Sequence, residues 1–356
     1  MNIWIIFAGY LKIMRILLAL ISLTLLVGCF SNRGKRTNSD AEVNIYTDRH
    51  YPVDDTLFKN FEKEFGIKVN VVKAKSEDLL SRLEKEGSAT KADILITTDA
   101  ARLYQAKKLG FFQQMQKIKG FEAVPKYLKD TDGYWIGLTK RARVIVYSKD
   151  RVQASELSTY EDLANEKWKG RIAVRSKENI YNQSLLASLL AANGEEKTLE
   201  WVKGMVQNMY QSPKGNDRDQ VKAIFGGKAD VALVNTYYVG QMLNSDDQIE
   251  REAAESVVVF YPNQEGRGAH VNISGAGLIK HSKNTENAYL LLKYLLHPDN
   301  QRIFAKENFE YPVHPEVNVS KHVLAWGAFI EDTVELSRIG ELNTAAIKLF
   351  DKGGWK

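Results

Sequence analysis

Residues 229–240, ADVALVNTYYVG, decide how the chain is read. Val231, Ala232, Leu233 and Val234 form a short apolar run with the β-branched content of a buried strand. Asn235-Thr236 follows as a helix-cap pair, and Tyr237 and Tyr238 come next, side by side. Tyrosines just beyond the carboxyl end of a strand sit where open α/β sheets bind ligands. There, two phenols offer two hard oxygens to one small, highly charged cation. A plainer reading stands beside this one. With 16 tyrosines in 356 residues, a Tyr-Tyr pair arises by chance about once, and Tyr is common in half-buried packing.

Outward from this stretch, strand and helix patterns alternate. Residues 43–46 read as a strand running into Thr47-Asp48-Arg49-His50-Tyr51, and Pro52 holds Tyr51 extended while fitting a first helical turn. Leu57, Phe58, Phe61 and Phe65 recur at helical spacing before Gly66. Strands over 67–72 and 93–97, with helices over 76–86 and 100–109, continue the rhythm and predict a parallel sheet with right-handed crossovers. Residues 135–138 and 144–147 read as two separate strands. A second alternating set comes next: a helix near 159–165, a strand over 171–174, and helices over 182–192, 199–208 and 220–225. Two α/β units joined by extended crossings near 139–147 and 257–275 are the simplest architecture. Trp135 and Trp168 are expected in the core.

The start of the chain is different in kind. Met14-Arg15 precedes an apolar run over 16–27, of secretory-signal length and too short to span a bilayer comfortably. It closes on Leu26-Val27-Gly28-Cys29, which resembles a bacterial lipobox whose Cys is lipidated and becomes the first mature residue. Residues 1–28 are therefore expected to be a lipoprotein signal peptide, with Met14 an alternative start, and 29–41 a lipidated flexible tether. The expected location is the periplasm or cell envelope. The net charge is +5, and removing Lys12 and Arg15 with the leader leaves +3, interleaved with acids in a way that suggests no nucleic-acid stripe.

Enzymatic signatures are scarce. Cys29 is the only cysteine, which excludes intrachain disulfides, thiolate metal sites and cysteine nucleophiles. The chain has no H-E-x-x-H, no Walker A loop, no dinucleotide fingerprint and no G-x-S-x-G elbow, and its six histidines are scattered. We expect no enzyme. By contrast, Tyr51, Tyr181, Tyr237 and Tyr238 all follow strand ends, where connecting loops gather on one rim of a cleft. A phenol ionises near pH 10, so only a strongly polarising cation deprotonates several at neutral pH. Ferric iron fits; zinc selects His and Cys, and calcium selects carboxylates and carbonyls.

Here the sequence becomes more specific. The segments Tyr46-x-x-Arg49-His50-Tyr51, Ala92-Asp93-Ile94-Leu95-x-x-x-Asp99-x-Ala101-Arg102-Leu103, Lys167-Trp168-Lys169-Gly170-Arg171, Asn235-x-Tyr237-Tyr238 and His270-Val271-Asn272-x-Ser274-Gly275 resemble the ferric-iron-binding proteins of bacterial ABC importers. The likeness is greatest to their FutA/IdiA-type branch and covers nearly all the mature chain. The resemblance implies a two-lobed periplasmic-binding-protein fold, type II-like, each lobe a mixed mostly parallel sheet flanked by helices and the two linked by a hinge. Lobe 1 would comprise 42–138 plus 271–356, and lobe 2 residues 139–270. It implies Fe3+ as transported ligand, held by Tyr51, Tyr181, Tyr237 and Tyr238. His50 is a further candidate, ligating iron in some relatives and only neighbouring it in others. No match is found for the Glu ligand of the branch that uses a synergistic anion. Arg49, Arg102, Arg141 and Arg143 are candidates to offset phenolate charge or hold carbonate, or else structural salt-bridge residues. The implied partners are an ABC permease and its ATPase in the inner membrane, served by a monomeric carrier. The alternative is an organic solute such as thiamine, a polyamine, a sugar or a phosphonate, stacked on the same rings.

Overall fold

The computed structural model describes residues 41–115 and 120–356. The expected signal peptide and Cys29 lie outside the described residues, as does nearly all of the tether. Strand β1 (Glu42–Thr47) leads into helix α1 (Pro52–Phe65), and strand β2 (Lys68–Lys73) into α2 (Ser76–Glu86). Strand β3 (Ile94–Thr97) is followed by α3 (Ala100–Lys108). β1 pairs in parallel with both β2 and β3, as the sequence rhythm predicts. Asp99 starts α3 by accepting the amide of Ala101.

The long strand β4 (Trp135–Ser148) organises the rest of the sheet. The sequence suggests two strands here, interrupted by the polar run Thr139-Lys140-Arg141-Ala142-Arg143. The structure has one continuous strand of 14 residues. The polar middle remains in the sheet because Thr139, Arg141 and Arg143 find buried acceptors on Glu310, Asp99 and Asp217. Burial without such partners would be costly. The first half of β4 pairs antiparallel with β8 (Ala269–Leu278), and the second half with β6 (Val231–Asn235) and β7 (Val257–Phe260). β8 pairs antiparallel with β3, and the short β5 (Ile172–Ala173) in parallel with β6. One strand thus belongs to both groups of strands, which places the loops of each group around a common region.

Between β5 and β6 run α4 (Ile180–Asn208) and α5 (Asp217–Phe225). α4 is two helices meeting at Gly194, whose φ of 77° breaks the helical path where the sequence placed a stop. The helix expected near 159–165 is instead a pair of 3-10 turns, Glu161–Ala164 and Glu166–Trp168. Helices α6 (Thr236–Leu243) and α7 (Gln248–Glu255) lie between β6 and β7. After β8 come α8 (Thr285–Leu296), α9 (Pro298–Glu307), β9 (Tyr311–Pro312), α10 (Lys321–Ala325), β10 (Glu331–Asp332) and α11 (Leu336–Gly353). α11 packs along both α3 and α4: Gly340 lies against Tyr104 and Gly353 against Val202, leaving no room for a side chain at either. Trp355 then stacks on Trp201 with ring centres 5.9 Å apart. Trp135 and Trp168 are fully buried, as expected. Among the described residues no helix is long and apolar enough to cross a membrane.

Candidate metal centre

Local structure at three strand ends brings the four tyrosines together. Pro52 occupies the first turn of α1 and leaves Tyr51 extended (φ −86°, ψ 138°) at the helix entrance. Asn179 caps α4 by accepting the amide of Asn182, which puts Tyr181 in its first turn. Tyr237 and Tyr238 occupy the first turn of α6, directly after β6. Successive helical residues diverge by about 100° around the axis. Tyr237 therefore turns inward and is 1% exposed, while Tyr238 stays half-buried against the cleft.

The phenol oxygens form a chain. Tyr51 donates to Tyr237 at 3.0 Å, and Tyr237 donates to Tyr181 at 3.2 Å. The rings of Tyr237 and Tyr238 are 4.3 Å apart. Burial, then the neighbouring phenols Tyr181 and Tyr238, hold the Tyr51 hydroxyl well above the usual phenol range. Burial and Tyr181, Tyr238 and Tyr51 do the same to Tyr237. Tyr238 is raised by burial, by Tyr181 and by Asp217. The three are thus held as neutral phenols, which agrees with oxygens close enough to share hydrogens. A highly charged cation is what would reverse this preference.

The cations predicted from sequence separate into different roles. Arg49 is buried, bonded to Asp54 and Glu310, and its guanidinium lies 4.8 Å from the centre of the Tyr51 ring. Arg141 bonds the Thr98 carbonyl and Asp99, lies 5.0 Å from the Tyr181 ring centre, and leaves Nη1 with no partner among the described residues. Arg102 pairs with Glu77 at the cleft wall, and its buried Nε has no partner among the described residues. Arg143 bonds Asp217, Asn182 and Asn235 in the interior and is not part of the cleft wall. His50 is exposed at the cleft, its ring centre 4.9 Å from that of Tyr51. The cleft has a volume of about 1440 Å3. No group of three or more His, Cys, Asp or Glu able to hold a metal occurs among the described residues.

Residues 56–330 match the family of bacterial extracellular solute-binding proteins. The chain belongs to that family. It is 47% identical over 315 residues to Iron uptake protein A1 of Synechocystis sp., covering 88% of each chain. Its fold is similar to that of the Trichodesmium IdiA/FutA protein solved in complex with iron and citrate ligands. That match has a TM-score of 0.85 and 43% identity, covering 89% of this chain and 100% of the other. A ferric binding protein from Campylobacter jejuni matches with a TM-score of 0.85 and 40% identity, covering 88% and 100%. The two-lobed α/β fold of this family is the one the sequence led us to expect.

In this solute-binding protein, two site residues escape a reading of the sequence. Arg175 lies 5.8 Å from the Tyr181 ring centre, pairs with Asp217 at 2.7 Å, and lines the cleft with its Nε unpartnered among the described residues. Its only local signal is its place two residues after β5. Glu310 accepts from Arg49, from Thr139 at 2.7 Å and from Asn308 at 2.7 Å, and these partners hold its carboxyl below the usual range despite burial. Being 261 positions from Arg49, it carries no local signal at all.

Proposed function

We propose that this protein captures ferric iron outside the cytoplasm and delivers it to an ABC permease and its ATPase in the inner membrane, without chemical conversion of its cargo. Tyr51, Tyr181, Tyr237 and Tyr238 are the proposed ligands, each losing its proton to become a phenolate. The observation that carries this reading is the phenol chain, with successive oxygens 3.0 and 3.2 Å apart in a cleft that has no carboxylate–imidazole cluster among the described residues. The iron-related relatives support it. His50 stands beside Tyr51 as a fifth candidate. The guanidinium side chains of Arg102 and Arg175, which line the cleft, suit a carboxylate or carbonate arriving with the metal.

In the same reading, residues 42–138 with 271–356 and residues 139–270 form the two lobes. Tyr51 then belongs to one lobe and the other three tyrosines to the second. An ion bridging them favours the closed arrangement by its differential affinity. Lipid on Cys29 would hold a monomeric carrier at the envelope. The cleft volume favours one competing reading, an organic solute stacked on the rings. A ferric citrate titration followed by visible absorption separates the two. The expected result is a broad tyrosinate-to-iron charge-transfer band that saturates near one iron per chain and is lost in the Tyr237→Phe/Tyr238→Phe variant. A colourless protein whose melting temperature does not respond to iron would overturn the iron reading.

A further inference from the structure

Tyr181 lines a second, much smaller space. Together with Arg141, Arg143, Asn235, His270 and Asn272 it encloses a cavity of about 10 Å3. All six residues are buried. Four atoms on this lining have no hydrogen-bond partner among the described residues: Arg141 Nη1, Arg143 Nε, Asn235 Nδ2 and His270 Nδ1. Buried polar atoms are rarely left unpaired, and four around one cavity point to an occupant.

The chemistry of the lining selects that occupant. Arg141, Arg143 and Asn235 present only N–H donors there. Burial, with Arg141, Arg267 and Arg143 nearby, pushes His270 down to about 3, so its ring is neutral and its free nitrogen can carry the hydrogen. The neighbouring acceptors are already engaged: Asn272 Oδ1 takes the amides of Ala100 and Ile273, and Asn235 Oδ1 takes Arg143. A water molecule would accept from only two of these four donors, whereas a monatomic anion accepts from all of them. The charges lean the same way. In the ion pairs of this cluster, Arg141, Arg143 and Arg175 share only Asp99 and Asp217, an excess of one positive charge. The space suits one water-sized, monatomic species and no oxyanion.

We propose that this cavity binds one small monovalent inorganic anion of the halide class, held by Arg141 Nη1, Arg143 Nε, Asn235 Nδ2 and His270 Nδ1. The site is separate from the cleft, with the Tyr181 ring common to both walls. It does not depend on iron being the cargo.

Bromide is the probe. Crystals of the iron-free protein grown in sodium bromide are expected to show an anomalous peak among the four donors. In solution, melting temperatures are compared in sodium bromide and in sodium gluconate at equal ionic strength, because gluconate is too large to enter. Bromide is expected to raise the wild-type midpoint by about 2–4 °C. Asn235→Asp replaces one donor with a carboxylate that pairs with Arg143 from inside the cavity, and is expected to abolish both the peak and the salt difference. A single light atom without anomalous signal in wild-type crystals identifies water and overturns the proposal. Equal wild-type melting in the two salts overturns it as well, and both readings stand even if the variant does not fold.

Discussion

If Tyr51, Tyr237 and Tyr238 are neutral phenols before iron arrives and phenolates afterwards, binding must release a proton from each. Burial and mutual repulsion raise all three above the ordinary phenol value, so none has lost its proton at neutral pH. Release of protons on binding means that affinity rises with pH. Each proton is worth about 1.36 kcal/mol per pH unit. These three phenols make the affinity rise about a thousandfold per pH unit, or about 4 kcal/mol, and Tyr181 adds a fourth proton to the exchange. Absolute slopes are confounded by the titration of citrate and of aqueous iron, but a comparison of two proteins in the same buffer is not. Tyr237→Phe removes one proton from the exchange and leaves Tyr51 and Tyr238 in place. The ratio of wild-type to variant affinity should therefore rise about tenfold per pH unit, and about a hundredfold between pH 6 and pH 8. Competition against ferric citrate at several pH values measures this ratio. A ratio that stays constant across the window would refute proton loss by Tyr237, and with it the place of Tyr237 among the ligands.

Other consequences concern the frame around the site. Glu310→Gln leaves Arg49 with Asp54 alone and is expected to cost about 3 kcal/mol at pH 7, the low end for breaking a buried ion pair. Because the folded state lowers the Glu310 carboxyl, its contribution is complete above the unfolded carboxylate value of about 4.3 and fades as pH falls through the folded value. Denaturant midpoints of the two proteins should therefore converge below about pH 4, and an equal gap at pH 3 and pH 7 would contradict the pairing. Gly240→Ala would place a methyl 2.6 Å from Cβ of Phe309, which lines the cleft; the expected loss is about 1–3 kcal/mol, read by thermal melting. Trp355→Ala empties a site against Trp201 and Phe350 and should cost about 3–5 kcal/mol while leaving the iron spectrum unchanged. A spectral change there would mean that α11 helps to shape the cleft.

Much of the candidate site was legible because the placement of its tyrosines is local. Pro52 after Tyr51, Asn179 before Tyr181 and the strand before Tyr237 each fix a side chain at an element's end through nearby residues alone. The four tyrosines could be named from such signals, and three of them are found hydrogen-bonded in sequence. What could not be read depends on distant partners. Thr139, Arg141 and Arg143 looked like a polar break in a strand because the carboxylates that accept from them lie elsewhere, at Glu310, Asp99 and Asp217. For Arg49 the sequence allowed a salt-bridged role, but of its two carboxylates only Asp54 is near in the chain, and Glu310 could not be named. The small cavity beside Tyr181 is further out of reach, since its lining comes from β4, α4, the end of β6 and β8.

These distant carboxylates also bear on how the proposed ligand set handles charge. Four phenolates around one ferric ion carry a net charge of −1, whereas four phenols around an empty centre carry none. Had every nearby guanidinium been fully paired, the loaded centre would place an uncompensated charge in a buried site, at a cost of several kcal/mol. Had every one been free, the phenols would ionise early and the empty cleft would hold stray cations. The structure lies between these limits. Arg49 is saturated by Asp54 and Glu310, while Arg141 lies over the Tyr181 ring with its carboxylate 3.4 Å away. A guanidinium paired that loosely and facing the ring can stabilise the loaded centre without deprotonating the empty one. For a carrier that must give up its ion, this matters as much as tight binding, because protons returning to the phenols restore a neutral cleft.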